Sequence, residues 1–164
     1  FLSRAINNNS NDTRLIQLRT IVSQELDDFV LLELDVRSLM RLEPNNPSPF
    51  NTLGYYLTDQ TNRFSEAKDL IDRAVELSPN DPAITDSLGW VQFKLGMYEE
   101  AKINLERAFE LFPDHEVAAH LGEVLWVMGK REAAREIWEN ALKNRPESDF
   151  ILNTMQRLDA EPDN

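Results

Sequence analysis

The chain has 164 residues, 41% of them hydrophobic and none of them cysteine. That is enough to bury a core, and it excludes disulfide frameworks, thiolate metal sites and cysteine nucleophiles. Twenty-nine acidic against 17 basic side chains give a net charge of -12, the wrong sign for holding a phosphate backbone, so no nucleic-acid partner is expected. No apolar run approaches the ~18 residues of a spanning helix, so no transmembrane segment is expected either.

The chain begins Phe1-Leu2-Ser3, with neither an initiator Met nor a basic run leading into an apolar one, and reads as part of a longer polypeptide. Residues 1–10 carry Ala5 and read as the stump of a second helix. Residues 11–44 read as a degenerate hairpin, with one helix near Thr13 to Gln24 and another near Asp28 to Glu43. From residue 45 onward a skeleton recurs in register. Leu53-Gly54, Leu88-Gly89 and Leu121-Gly122 place their glycines 35 and then 33 residues apart. Behind them follow Ala67, Ala101 and Ala134, then Ala74, Ala108 and Ala141, then Pro79, Pro113 and Pro146.

Each unit reads as two helices folded back on one another. In the middle one, Asp81-Pro82 supplies an N-cap and a proline at the first helical position. Ile84, Leu88, Val91 and Leu95 then make an apolar stripe at helical spacing, and Gly96 ends the helix. A second helix from Tyr98 carries Ala101, Leu105, Ala108 and Leu111 and stops before Pro113. The matching stripe of the next unit is Leu121, Val124 and Met128, with Trp138 in the core of its second helix. The units therefore span 45–79, 80–113 and 114–146, followed by an end helix over 147–158 with Phe150, Ile151, Met155 and Leu158 on its buried side, and a tail over 159–164.

This skeleton resembles the tetratricopeptide repeat, whose pattern has Leu-Gly in the first helix, Gly-x-Tyr at the turn, two alanines in the second helix and a closing proline. The middle unit matches throughout. The unit before it has an inserted residue near Gln60-Thr61-Asn62 and Phe64 in place of Tyr, and the unit after it has Arg131 at that position. The resemblance implies an all-α fold, an α-solenoid (superhelix) of stacked antiparallel helix hairpins with a C-terminal capping helix.

Nothing in the chain assembles a catalytic constellation, and no enzyme activity, metal or cofactor is expected. His115 and His120, in the run HEVAAH, sit five residues apart, which on a helix turns the imidazoles about 140° from one another, so they cannot share a zinc ion. They read as a loop and a helix-surface histidine. All five glycines are explained by repeat geometry, leaving no phosphate loop, and no serine has an activating histidine beside it.

The aromatics are more informative. On a helical projection Trp90 and Phe93 point away from the core stripe, beside Asp86, and Trp126 does the same with Ala119 and Glu123. Tyr55, Thr58 and Asp59 hold the matching positions one unit earlier. In the family such positions line the concave side, so the resemblance implies a groove floored by Tyr55, Trp90, Phe93 and Trp126 and edged by Asn51, Asp59, Asp86, Lys94 and Glu123; the alternative is that these aromatics pack between successive first helices. It would bind a basic or apolar protein segment. Chaperone-carboxylate clamps place Asn after the Leu-Gly pair, where this chain has Tyr55, Trp90 and Glu123, so that specificity is not expected. DSLGW, AFELFP and AAHLGEVLW further resemble the C-terminal repeats of a Gram-negative outer-membrane lipoprotein family. That likeness implies a periplasmic scaffold, in some cases docking a processing protease, with a cytoplasmic adaptor as the alternative. The rival functions are homo-oligomerisation through the aromatic face, and service as an accessory region of an enzyme whose catalytic part lies elsewhere.

Overall fold

The computed structural model describes residues 11–158; the readings of 1–10 and 159–164 lie outside them. Among the described residues all regular structure is helical: α1 Thr13–Glu25, α2 Phe29–Leu42, α3 Pro47–Gln60, α4 Phe64–Leu77, α5 Pro82–Lys94, α6 Tyr98–Leu111, α7 His115–Val127, α8 Arg131–Asn144 and α9 Asp149–Arg157. Each helix predicted within residues 11–158 is present, with ends shifted by a residue or two.

Local chemistry explains the boundaries. The first helix of every hairpin is capped by an Asx side chain that accepts from a backbone N–H in the first turn: Asp12 from Arg14, Asn46 from Ser48, Asp81 from Ala83 and Asp114 from Glu116. Pro47 and Pro82 begin their helices where no intrahelical donor is needed. Three turns close with the same pair of backbone bonds. Gly96 N–H donates to Phe93 O and Met97 N–H to Gln92 O; Gly129 and Lys130 repeat this after α7, and Asp27 and Asp28 after α1. Such a turn needs a left-handed residue, and φ is +79° at Gly96, +78° at Gly129 and +52° at Asp27. Asp tolerates that region, so the degenerate hairpin turns without a glycine.

The chain divides into two compact units, the first ending at Pro79 and the second beginning at Asn80. In the first, α1 packs on α2, α2 on α3 and α3 on α4, around Ile16, Leu32, Val36, Leu39, Leu53, Leu57, Ala67, Ile71 and Ala74. In the second, α5 packs on α6, α6 on α7, α7 on α8 and α9 on α7. Its core holds Ala101, Leu105, Leu121, Val124, Ala134, Trp138 and Ile151. The recurring small residues are contact points: a Cβ on Gly89 would stand 2.6 Å from Leu105 Cγ, and one on Gly122 would collide with the Trp138 indole.

Some expected core positions differ. Leu95, Leu111 and Phe150 are exposed, because each falls at a helix end or on a side that no neighbouring helix covers. Ile151 is fully buried as expected, and Thr154, rather than Phe150, joins it beneath α9.

Candidate partner-binding surface

The expected groove residues divide by the unit they belong to. In the second unit α7 lies against α5 and covers the face that a single-helix projection leaves free. Trp90 is only 3% exposed. The His120 imidazole stacks on its indole at 4.0 Å between centroids, Phe93 stacks at 5.2 Å, and Lys94 Nζ sits 4.3 Å from the ring centre. Asp86, also buried, lies 3.0 Å through Oδ1 from His120 Nδ1. Burial alone pulls the imidazole pKa down, but the Asp86 charge and hydrogen bond, with Glu116 and Glu123 nearby, hold it above the ordinary histidine value.

Glu123 is buried and accepts from both guanidinium nitrogens of Arg157 on α9, at 2.9 and 2.5 Å. Ala119 is buried beside it. These contacts correct several expectations. Trp90, Asp86, Ala119 and Glu123 do not line an open groove, and His120 is not a surface residue. His115 starts α7 rather than standing in a loop. The acidic edge is lost for the same reason: its two carboxylates in this unit are paired with bases of the next first helix. Phe93, Lys94 and Trp126 remain half-buried. The Arg131 and Arg135 guanidiniums lie 5.0 and 5.5 Å from the Trp126 ring, screening part of its face.

In the first unit Thr58 is buried, its hydroxyl donating to Gly54 O at 2.8 Å, and leaves the candidate surface. Asn51 and Tyr55 are half-buried and Asp59 is exposed. Sequence reasoning missed two further features of this unit. Arg19 of α1 makes a bidentate pair with buried Asp35 of α2, at 2.7 and 2.5 Å. A cleft of about 400 Å³ opens between α1 and α3. The ion pairs that join successive first helices carried a signal that could have been used: Asp86 to His120 and Glu123 to Arg157 are both separated by 34 residues, one repeat length.

No group of three or more metal-ligating side chains occurs among the described residues. None of the helices found there is long and apolar enough to cross a membrane.

Comparison with known proteins follows from this architecture. The tetratricopeptide-repeat family model matches residues 87–115, the stretch that holds Gly89, Gly96, Ala101, Ala108 and Pro113. A TPR repeat-containing protein of Pseudomonas aeruginosa is 43% identical over 112 residues, covering 68% of this chain and 19% of that protein. The chain carries tetratricopeptide repeat sequence. A thermophilic TPR protein of Thermus thermophilus shares the fold across 97% of this chain and 86% of its own, at a TM-score of 0.77 and 20% identity. The tetratricopeptide chain is therefore an all-α solenoid of helix hairpins, as its sequence predicts. A human protein O-mannosyl-transferase is 30% identical over 102 residues, 57% of this chain and 11% of that enzyme. The chain spans less than a fifth of the length of either curated relative.

Proposed function

We propose that this tetratricopeptide chain is a non-catalytic adaptor that holds a protein segment against its first helices. Tetratricopeptide repeats generally mediate protein–protein interaction. The observation that carries the reading is that Tyr55, Phe93 and Trp126, all on first helices, keep part of their surface exposed within a packed fold, and aromatic side chains dominate binding energy at interfaces. Capture from an envelope extract by the wild-type chain and by Phe93→Ala/Trp126→Ala tests it. The double variant should lose the captured proteins while keeping its helical circular dichroism; equal capture by both would sink the reading.

A periplasmic, outer-membrane-associated scaffold that docks a carboxyl-terminal processing protease is the finer form of this proposal, supported by the DSLGW and AAHLGEVLW segments. Fractionation of cells and direct binding of a purified processing protease test the location and the partner separately. Self-association has its own support in the first unit, where Leu26, Val30 and Leu34 are 72, 80 and 59% exposed, an unusual display for a monomer. Light scattering over a concentration series, repeated with Val30→Asp, separates that role from adaptor binding.

A further inference from the structure

The second helices of the hairpins differ on their outer sides. At the second and sixth residue of the helix, α4 carries Ser65 and Asp69, α6 carries Glu99 and Ile103, and α8 carries Glu132 and Glu136. On α2 the same two positions are Val30 and Leu34, both exposed, and Leu26 in the turn before the helix is exposed as well. The buried residues of α2 are Leu32, Asp35, Val36 and Leu39, on the opposite side of the helix, so Val30 and Leu34 point from the fold into solvent. Arg37 and Arg63, bridging Glu33 and Glu66, fasten α2 to the start of α4 along one flank of this row. The apolar face is thus held in shape before anything meets it.

Charges of opposite sign close its two ends. Asp27 stands exposed just before α2, and Arg41 is exposed near its end. Arg41 donates to Ser38 Oγ at 2.9 Å, and no ion pair holds either Arg41 or Asp27 among the described residues. Seven residues carry Arg41 round to within about 20° of Leu34 on the helix, so base and leucine share one face. Asp27 lies the same seven residues to the other side of Leu34. Turning a second copy end for end about Leu34 therefore brings each Arg41 to the other copy's Asp27. An isologous contact needs this arrangement, in which whatever one copy offers the other answers. A different protein would have to reproduce the inverted order of acid, leucine and base.

We propose that the outer face of α2 is the contact between two copies of this chain, with the α2 helices antiparallel and related by a two-fold axis at Leu34. Leu34 meets its own copy, and Val30 of each copy covers the Ser38 side of the other. Apolar burial drives the association, and the two Arg41–Asp27 pairs fix its direction. One helix from each copy buries less than the roughly 1,200 Å² of a stable interface, so the dimer is weak and concentration-dependent. The proposal rests on the self-association reading and gives it a face, a symmetry and a register.

The chain has no cysteine of its own, so single cysteines introduced into the whole chain report the contact. Leu34→Cys should form a disulfide-linked dimer under mild oxidation, whereas Ile103→Cys, at an exposed position of α6, should stay monomeric. Sedimentation over a concentration series then measures the free equilibrium. Val30→Asp should raise the dimer Kd about tenfold or more, and Arg41→Glu should raise it several-fold. Both positions are exposed, so these variants should keep the unfolding curve of the wild type. Equal cross-linking of the two cysteine variants, or a dimer indifferent to Val30→Asp, would overturn the α2 contact while leaving self-association to another surface. A dimer lost in Val30→Asp but unchanged in Arg41→Glu, with no Leu34→Cys disulfide, would overturn the antiparallel register. A chain monomeric at every concentration would overturn both the contact and the self-association reading, and would give the exposed row to a different protein.

Discussion

Trp90 and His120 show how one side chain serves two helices. The indole lies flat on the imidazole and is 3% exposed, so it belongs to the core between α5 and α7. Trp90→Ala should therefore destabilise the chain by about 3–5 kcal/mol, read as a lower urea midpoint; an unchanged midpoint would return Trp90 to the surface. Binding tests belong at Phe93 and Trp126 for this reason. His120 adds a pH dependence of definite sign. Its folded pKa lies above the unfolded value, because the Asp86 and neighbouring carboxylate attractions outweigh the burial that opposes its charge. Stability from the protonated ring is thus fully present below about pH 6.5 and is lost as pH rises through the folded value. Urea midpoints measured between about pH 6 and pH 9 should fall with rising pH in the wild type. The fall should be smaller in His120→Gln.

Helices in this fold are joined by apolar contact and by ion pairs at a few inward positions. Arg157 reaches from α9 to Glu123 of α7, and the acid is buried while the base is half in solvent. Arg157→Ala would leave a carboxylate buried without its partner, at a cost of about 1–3 kcal/mol. Arg157→Ala/Glu123→Leu should recover part of that loss, since the buried charge is gone. Equal unfolding midpoints for the two variants would show that the pair contributes little to holding α9. Arg19 and Asp35 tie α1 to α2 in the same manner. This explains a buried aspartate among Leu32, Val36 and Leu39 on the inward side of α2. On the outside of the first unit, Arg37 and Arg63 bridge Glu33 and Glu66 between α2 and the start of α4. Such an exposed network contributes modestly and weakens with salt.

At the scale of the molecule, repeat proteins gather stability from neighbouring hairpins. The core cluster around Trp138 draws only on residues of the second unit. Residues 80–164 expressed alone should therefore unfold in one cooperative transition with native-like helical circular dichroism; a non-cooperative melt would show that they depend on the rest. The hairpins themselves were legible from residues. The repeated Leu-Gly, Ala, Ala, Pro skeleton set where helices approach, and Asx caps, prolines and turn glycines set where they begin and end, all through local geometry that a short segment carries with it. The binding face was not legible in the same way. A helical projection marks one apolar stripe on one helix, but it cannot say which other face the next first helix will cover, and on α5 Trp90 ends more buried than Leu88 of the expected stripe. Packing of α7 on α5 put Trp90 and Asp86 inside, while the parting of α1 from α3 left Gln17, Ile21 and Gln24 open. Sequence by itself determined the helices and their order, since capping, periodicity and turn conformation act over a few residues. Tertiary structure alone decided which side chains meet solvent, since burial depends on neighbours one repeat away.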